Sequence, residues 1–281
     1  MKIMMLAIGR SGTTALLHKV SAALPESQPV SGGRLEKINE IEGNVVVKHT
    51  YNEAQGRTFE KFKEHLGQTE YDRKIWIARD PRDNALSRFL FRWYRGSKSD
   101  KDQYRAVIDL VEKKEQRPES VPFCELMRYR GQQLKPFSTV KEVGDDERRT
   151  FEQMHQFVSG LGDDWCIFKY EDMVDNNFAS LSEYLGFEIK AEANIDKSTM
   201  KVARKKSTGD WRHWYTEEDV ELFRPAYTDY MDLVGYDSSD WRLHENQVIE
   251  PEYASLYLKN LPKRRRLDAL QKFKKKVSRL F

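Results

Sequence analysis

Apolar residues in this chain form short uninterrupted runs, separated by stretches whose apolar positions recur at helical spacing. Ile3-Met4-Met5-Leu6-Ala7-Ile8, Asn44-Val45-Val46-Val47-Lys48, Lys74-Ile75-Trp76-Ile77-Ala78 and Trp165-Cys166-Ile167-Phe168-Lys169 are such runs. Each has the length and continuity of a strand buried on both faces of a parallel sheet. Gln28-Pro29-Val30 is a shorter candidate. Helical patterns lie over Thr14–Val20, over 82–95 (Ala85, Leu86, Phe89, Leu90 and Trp93 on one face) and over 176–186 (Phe178, Leu181, Tyr184, Leu185). Strands alternating with helices predict an α/β fold, a central parallel sheet flanked by helices with right-handed crossovers. Residues 95–150 break the alternation, being polar, with helical patterns at 103–115 and 122–134 and a soft stretch at Val143-Gly144-Asp145-Asp146. They read as a helical insertion.

The first strand and first helix are joined by Gly9-Arg10-Ser11-Gly12-Thr13-Thr14. A strand, a tight glycine-bearing turn and a helix start aim backbone N–H groups and a positive dipole end at an anion. Arg10 adds fixed charge, and Ser11, Thr13 and Thr14 add hydroxyls. An ordinary βα turn could look the same. The loop lacks the Lys-Ser/Thr pair and the glycine spacing of a Walker A motif. Because ligands of such sheets bind beyond the carboxyl ends of the strands, the loop, Lys48-His49 and Arg79 fall on one rim.

Charge changes the picture at one end. Residues 259–281 hold ten Lys or Arg against Asp268 alone, a net +9, so the other 258 residues sum to −6 within the whole-chain +3. Leu267, Leu270, Phe273, Val277 and Leu280 recur there at helical spacing with cations opposite. Such a segment suits an anionic membrane surface, or packs its stripe onto the core. No recognition motif accompanies the charge, so nucleic acid is not an expected partner. The two cysteines, Cys124 and Cys166, form neither a disulfide framework nor a metal-ligand spacing. No metal site is expected, and with no leader or membrane-spanning run the expected location is the cytoplasm, with peripheral membrane association through the tail.

Two more segments carry anion chemistry. Arg79-Asp80-Pro81-Arg82-Asp83-Asn84-Ala85-Leu86-Ser87 leaves a strand and opens a helix, so Arg79 and Ser87 can return to one anion. An Arg fork suits phosphate oxygens, although Arg-Asp-Pro also makes helix-capping ion pairs. Arg204-Lys205-Lys206-Ser207-Thr208-Gly209-Asp210-Trp211 sets three cations before a glycine turn, ahead of a helix starting at Thr216-Glu217-Glu218-Asp219.

Together these segments resemble the sulfotransferases, whose donor is 3′-phosphoadenosine-5′-phosphosulfate (PAPS). The 9–14 loop looks like the family's 5′-phosphosulfate loop, and Arg79 and Ser87 have the spacing of its 3′-phosphate site. Residues 204–211, with Arg204, Lys205, Lys206 and Gly209, are similar to its Arg-Lys-Gly-x-x-Gly-Asp-Trp segment. Tyr170-Glu171-Asp172-Met173 resembles the motif whose Tyr lies near adenine. The matches are collinear over residues 3–220. The resemblance implies a P-loop NTPase-like sulfotransferase fold over 1–258, with the insertion at about 95–150 and the tail at 259–281. Arg10 stands where cytosolic members have Lys, Ala15 where they have a Trp that stacks adenine, and Lys206 where the motif has Gly. Arg10 is closer to the tyrosylprotein and bacterial carbohydrate branches.

The implied reaction moves a sulfuryl group to a hydroxyl or amine, on a carbohydrate or small metabolite, and releases 3′-phosphoadenosine 5′-phosphate (PAP). In-line displacement at sulfur needs positioning, fixed cations at the leaving phosphate and a proton acceptor. Arg10 and Lys48 are the expected charge stabilisers. The base is Glu36 or His49, and both stay open. His49 comes one position early for the family's Lys-x-His, and in an extended chain it faces away from Lys48. Two other readings remain: a non-catalytic nucleotide-binding scaffold on this fold, and a nucleotide kinase-like phosphotransferase. The missing Walker lysine and the lack of an acidic magnesium-holding partner at a strand end disfavour the latter.

Overall fold

The structure, a computed structural model, describes residues 1–31, 38–51, 58–131, 133–190, 208–263 and 266. Strand β1 (Lys2–Ile8) leads into α1 (Thr13–Ala23), followed by β2 (Gln28–Ser31), β3 (Val45–Tyr51), α2 (Phe59–Gln68) and β4 (Arg73–Ala78). A helical stretch comes next, with α3 (Pro81–Ser99), α4 (Lys101–Gln116), α5 (Phe123–Met127) and α6 (Val140–Ser159). Then come β5 (Trp165–Lys169), α7 (Tyr170–Val174), α8 (Ala179–Leu185), α9 (Trp211–Trp214) and α10 (Glu217–Leu233). The chain groups into two compact units, one of Met1–Asn84, Met154–Thr199 and Leu233–Tyr236, the other of Ala85–Gln153, Met200–Asp232 and Asp237–Phe281.

The first unit holds a five-stranded sheet in the order β2-β3-β1-β4-β5, with every pair parallel. Strand β1 is the middle strand, and its side chains alternate between two apolar layers. Ile3, Met5 and Ala7 join Leu16, Leu17 and Val20 of α1 and Leu181 and Leu185 of α8. On the other face Met4 meets Val45 and Val47, and Trp76 of β4 lies among Phe59 of α2 and Phe157 of α6. Strand β5 departs from the expectation of burial on both faces: it is an edge strand, and Ile167 is 41% exposed.

In the second unit α5 is shorter than the pattern at 122–134 predicts. The chain turns at Gly131, which has φ +59° and lies against the Trp93 ring, where a Cβ would come within 3.1 Å. The soft stretch at 143–146 is instead helical, inside α6. A Cβ at Gly144 would stand 2.6 Å from Leu222 Cδ1, so this glycine admits a neighbouring side chain rather than loosening the helix. The helix start at Thr216 forms as expected, with Asp219 N–H donating to Thr216 Oγ1 and Thr216 N–H to Asp219 Oδ2. Residues 255–263 are helical, with Leu258 and Leu261 buried and Lys259 paired with Glu112. The stripe from Leu267 to Leu280 lies outside the described residues.

Candidate active site

The carboxyl end of β1 opens directly into the Gly9–Thr14 loop. Arg10 has φ +76° and Gly12 φ +77°, so the backbone turns twice through the left-handed region before α1 begins. Glycine enters that region without steric cost, whereas Arg10 does so under strain. At Gly12 a second reason for glycine applies: a Cβ would lie 2.6 Å from both Tyr170 Cδ2 and Met173 Cε. No side chain caps the start of α1. Its first amides therefore lack a capping side-chain acceptor, and the helix dipole adds positive potential there.

Two side chains approach the loop from the segment after β4. Arg79 is buried and donates from Nη1 to the Arg10 carbonyl at 2.8 Å. Its guanidinium lies over the Tyr170 ring at 4.1 Å. Arg79 Nε is buried and has no hydrogen-bond partner among the described residues, which suits a group that receives an anion. Asn84, which sequence reasoning left without a role, donates from Nδ2 to the Gly9 carbonyl at 3.1 Å and to Ser11 Oγ at 3.2 Å. Only its place one turn into the helix after Arg79 hinted at this, because the contact spans a separation that no local pattern encodes.

The capping pair foreseen as an alternative also exists, on different residues. Asp80 accepts from Arg82 N–H and holds the Arg82 guanidinium through both oxygens, with Nη2 at 2.7 Å from Oδ2. Arg79 is left to face the loop. Glu171 in turn accepts from the Asp80 N–H at 3.2 Å and from the Tyr236 hydroxyl. Burial raises the Glu171 carboxyl above its ordinary range, against the hydrogen bonds it accepts.

Lys48 and His49 part company. Strand β3 continues to Tyr51, so the two side chains leave opposite faces of the sheet. Lys48 pairs in register with Met5 and donates from Nζ to Thr14 Oγ1 on the α1 side. His49 is buried on the other side, with its ring edge-on to Phe62 at 4.1 Å. Ser11 is wholly buried, its hydroxyl oxygen taken by Asn84.

The structure thus gathers Gly9, Arg10, Ser11, Gly12, Thr13, Thr14, Lys48, Arg79 and Tyr170 within the first unit. Ser87 lies farther along α3, buried, in the second unit. Gly209 has φ +80° and precedes α9. Glu36, Arg204, Lys205 and Lys206 lie outside the described residues. Among the described residues no cluster of three or more His, Cys, Asp or Glu could hold a metal, and no helix is long and apolar enough to cross a membrane. A groove of about 750 Å³ lined by Lys2, Gln68, Tyr71 and Asp72 sits at the amino end of the strands, away from this loop.

No family model and no curated protein matches the sequence. Solved structures do match. The mouse sulfotransferase SULT7A1 complexed with PAP aligns with 82% of this chain and 84% of its own, at 16% identity and a TM-score of 0.50. The sulfotransferase domain from the curacin biosynthetic pathway aligns over 67% and 74% at 12% identity, with a TM-score of 0.39. A sulfotransferase from Alicyclobacillus acidocaldarius aligns over 84% and 96% at 14% identity, with a TM-score of 0.38. The central parallel sheet and its flanking helices match an α/β sulfotransferase fold.

Proposed function

We propose that this chain is a PAPS-dependent sulfotransferase acting on a hydroxyl or amine of a carbohydrate or small metabolite. One observation carries the reading: an uncapped helix start, two left-handed turns and the cations Arg10, Lys48 and Arg79 meet at the end of the middle strand. The mouse neighbour was solved with PAP, which supports the same nucleotide here. In this reading Thr13, Thr14 and the loop amides hold the 5′-phosphate. Arg79, Ser87 and the Arg204–Lys206 segment hold the 3′-phosphate, and Tyr170 lies near the base. Arg10 and Lys48 place fixed positive charge where the leaving phosphate gains negative charge. That role needs no metal in the scheme. Because His49 faces Phe62 rather than Lys48, we assign the proton-accepting role to Glu36. The same observation favours a second reading, a nucleotide-binding protein without turnover. We also place the protein in the cytoplasm, with 259–281 as a docking element for anionic membrane.

Calorimetric titration with PAP tests the donor site. Arg79→Ala should weaken binding about tenfold to a hundredfold, the effect of losing a charge-assisted contact. Equal affinity for adenosine 5′-phosphate would refute the 3′-phosphate assignment. With an acceptor identified from labelled PAPS in a host extract, Glu36→Gln should lower turnover by about a hundredfold to ten-thousandfold with little change in PAP affinity. Tight PAP binding with no transfer to any extract component would favour the second reading.

A further inference from the structure

We propose that Asn84 is a positioning residue that sets the direction of the loop amides at the donor site, a role that rests on the donor-site reading above. A trans peptide is planar, and its N–H points opposite to its carbonyl; no peptide bond among the described residues is cis. Asn84 Nδ2 holds the Gly9 carbonyl, which turns the Arg10 N–H to the opposite side. Arg79 Nη1 holds the Arg10 carbonyl, which does the same for the Ser11 N–H. Two successive carbonyls are thus drawn back by side-chain donors, and two successive amides are presented together, the arrangement of an anion-binding nest. The strained φ of +76° at Arg10 lies between these two tethers, so the tethers hold a conformation that Arg alone disfavours.

Asn84 is suited to the task because its own position is fixed. It is fully buried, its N–H donates to the Asp80 carbonyl at 2.8 Å, and Asp80 caps the same helix turn. The Asp80 N–H is held in turn by Glu171, one residue after the Tyr170 that abuts Gly12. A rigid path therefore runs from the start of α7 through the first turn of α3 to the loop. Pre-set amides spare the ligand the cost of orienting them.

The test compares Asn84→Ala and Asn84→Leu with the unmutated protein, measuring Kd for PAP and for adenosine 3′-phosphate, which lacks the 5′-group. Leucine keeps the branch of asparagine at Cγ, with bulkier methyl ends, and donates no hydrogen bond. Both variants should lose PAP affinity by about fivefold to fiftyfold while adenosine 3′-phosphate affinity stays within about twofold. Native PAP affinity in the Leu variant, or equal losses for both nucleotides, would show a packing role and overturn the proposal. A measurement on unmutated protein stands independently of variant folding: PAP should slow hydrogen exchange at the Arg10 and Ser11 amides, and unchanged exchange in a PAP-saturated sample overturns the proposal. If the unmutated protein binds no PAP, the donor-site reading falls and this one with it. If PAP binds and the variants match the parent, only the Asn84 role falls.

Discussion

The two glycines of the loop should behave oppositely on substitution by alanine. Gly12 sits at φ +77°, and an added Cβ would lie 2.6 Å from Tyr170 Cδ2 and Met173 Cε. The left-handed backbone costs an alanine about 1–2 kcal/mol. The Met173 methyl is the end of a flexible side chain and can swing aside. The Tyr170 ring is held under the Arg79 guanidinium at 4.1 Å and yields less, so overpacking adds about 1–3 kcal/mol. Together the two costs predict about 2–5 kcal/mol of lost stability, a fall in melting temperature of about 3–9 °C for a chain of this length. Gly9 is the internal control, since its Cβ would meet nothing within 4 Å and its φ is not left-handed. Gly9→Ala should be neutral or stabilising by about 0.4–1 kcal/mol, through the entropy of the unfolded chain. Thermal melts of the ligand-free proteins, followed by near-ultraviolet circular dichroism, measure both. A Gly12→Ala protein melting within a degree or two of the parent, or a Gly9→Ala protein falling equally far, would refute the steric reasoning.

Two further outcomes follow from groups described above. Burial raises the folded-state pKa of Glu171 above its unfolded value of about 4.5. Its protonated form therefore contributes stability that is fully present below that unfolded value and is lost as pH rises through the folded one. Glu171→Gln keeps an uncharged side chain, so in urea titrations its stability relative to the parent should grow with pH across this window; a pH-independent difference refutes the attribution. For the tail, a chain ended after Lys263 retains the buried Leu258 and Leu261 and should keep PAP affinity while no longer sedimenting with anionic vesicles at low salt. Binding by polybasic segments is worth about 1 kcal/mol per cation and is screened by salt. A shortened chain that sediments like the parent, or that aggregates, speaks against membrane docking.

The strands were legible because burial on both faces of a parallel sheet leaves continuous apolar runs, and Val45–Tyr51 and Arg73–Ala78 lie within a few residues of those runs. The run at 165–169 has the same composition yet forms an edge, because position in the sheet is not written in a strand's own residues. Gly144 misled for a related reason: a glycine that loosens a helix and one that admits Leu222 look identical without the partner. At the site, period-two alternation foretold the separation of Lys48 and His49 once the strand proved to extend to Tyr51. The Asn84 tether was not legible, since its acceptors lie in a loop far upstream and nothing local to 79–87 names them.

The placement of β1 in the middle of the sheet has a consequence for how the chain reaches this state. Lys2 pairs with Val45 and Ile3 with Arg73, while Lys74 waits for Trp165. The earliest and most apolar strand therefore cannot satisfy its backbone on either side until much later segments are present, and each closure carries the entropy of a long loop. Folding dominated by such distant pairings is slow, and until it completes, Ile3 to Ile8 is an open, sticky template. The loop that follows inherits the delay: the acceptors that Arg79 and Asn84 hold exist in their final geometry only after β4 has docked beside β1. On the proposed donor-site reading, nucleotide capture is a late event in the life of the molecule, and a nucleotide bound there favours the finished sheet by mass action.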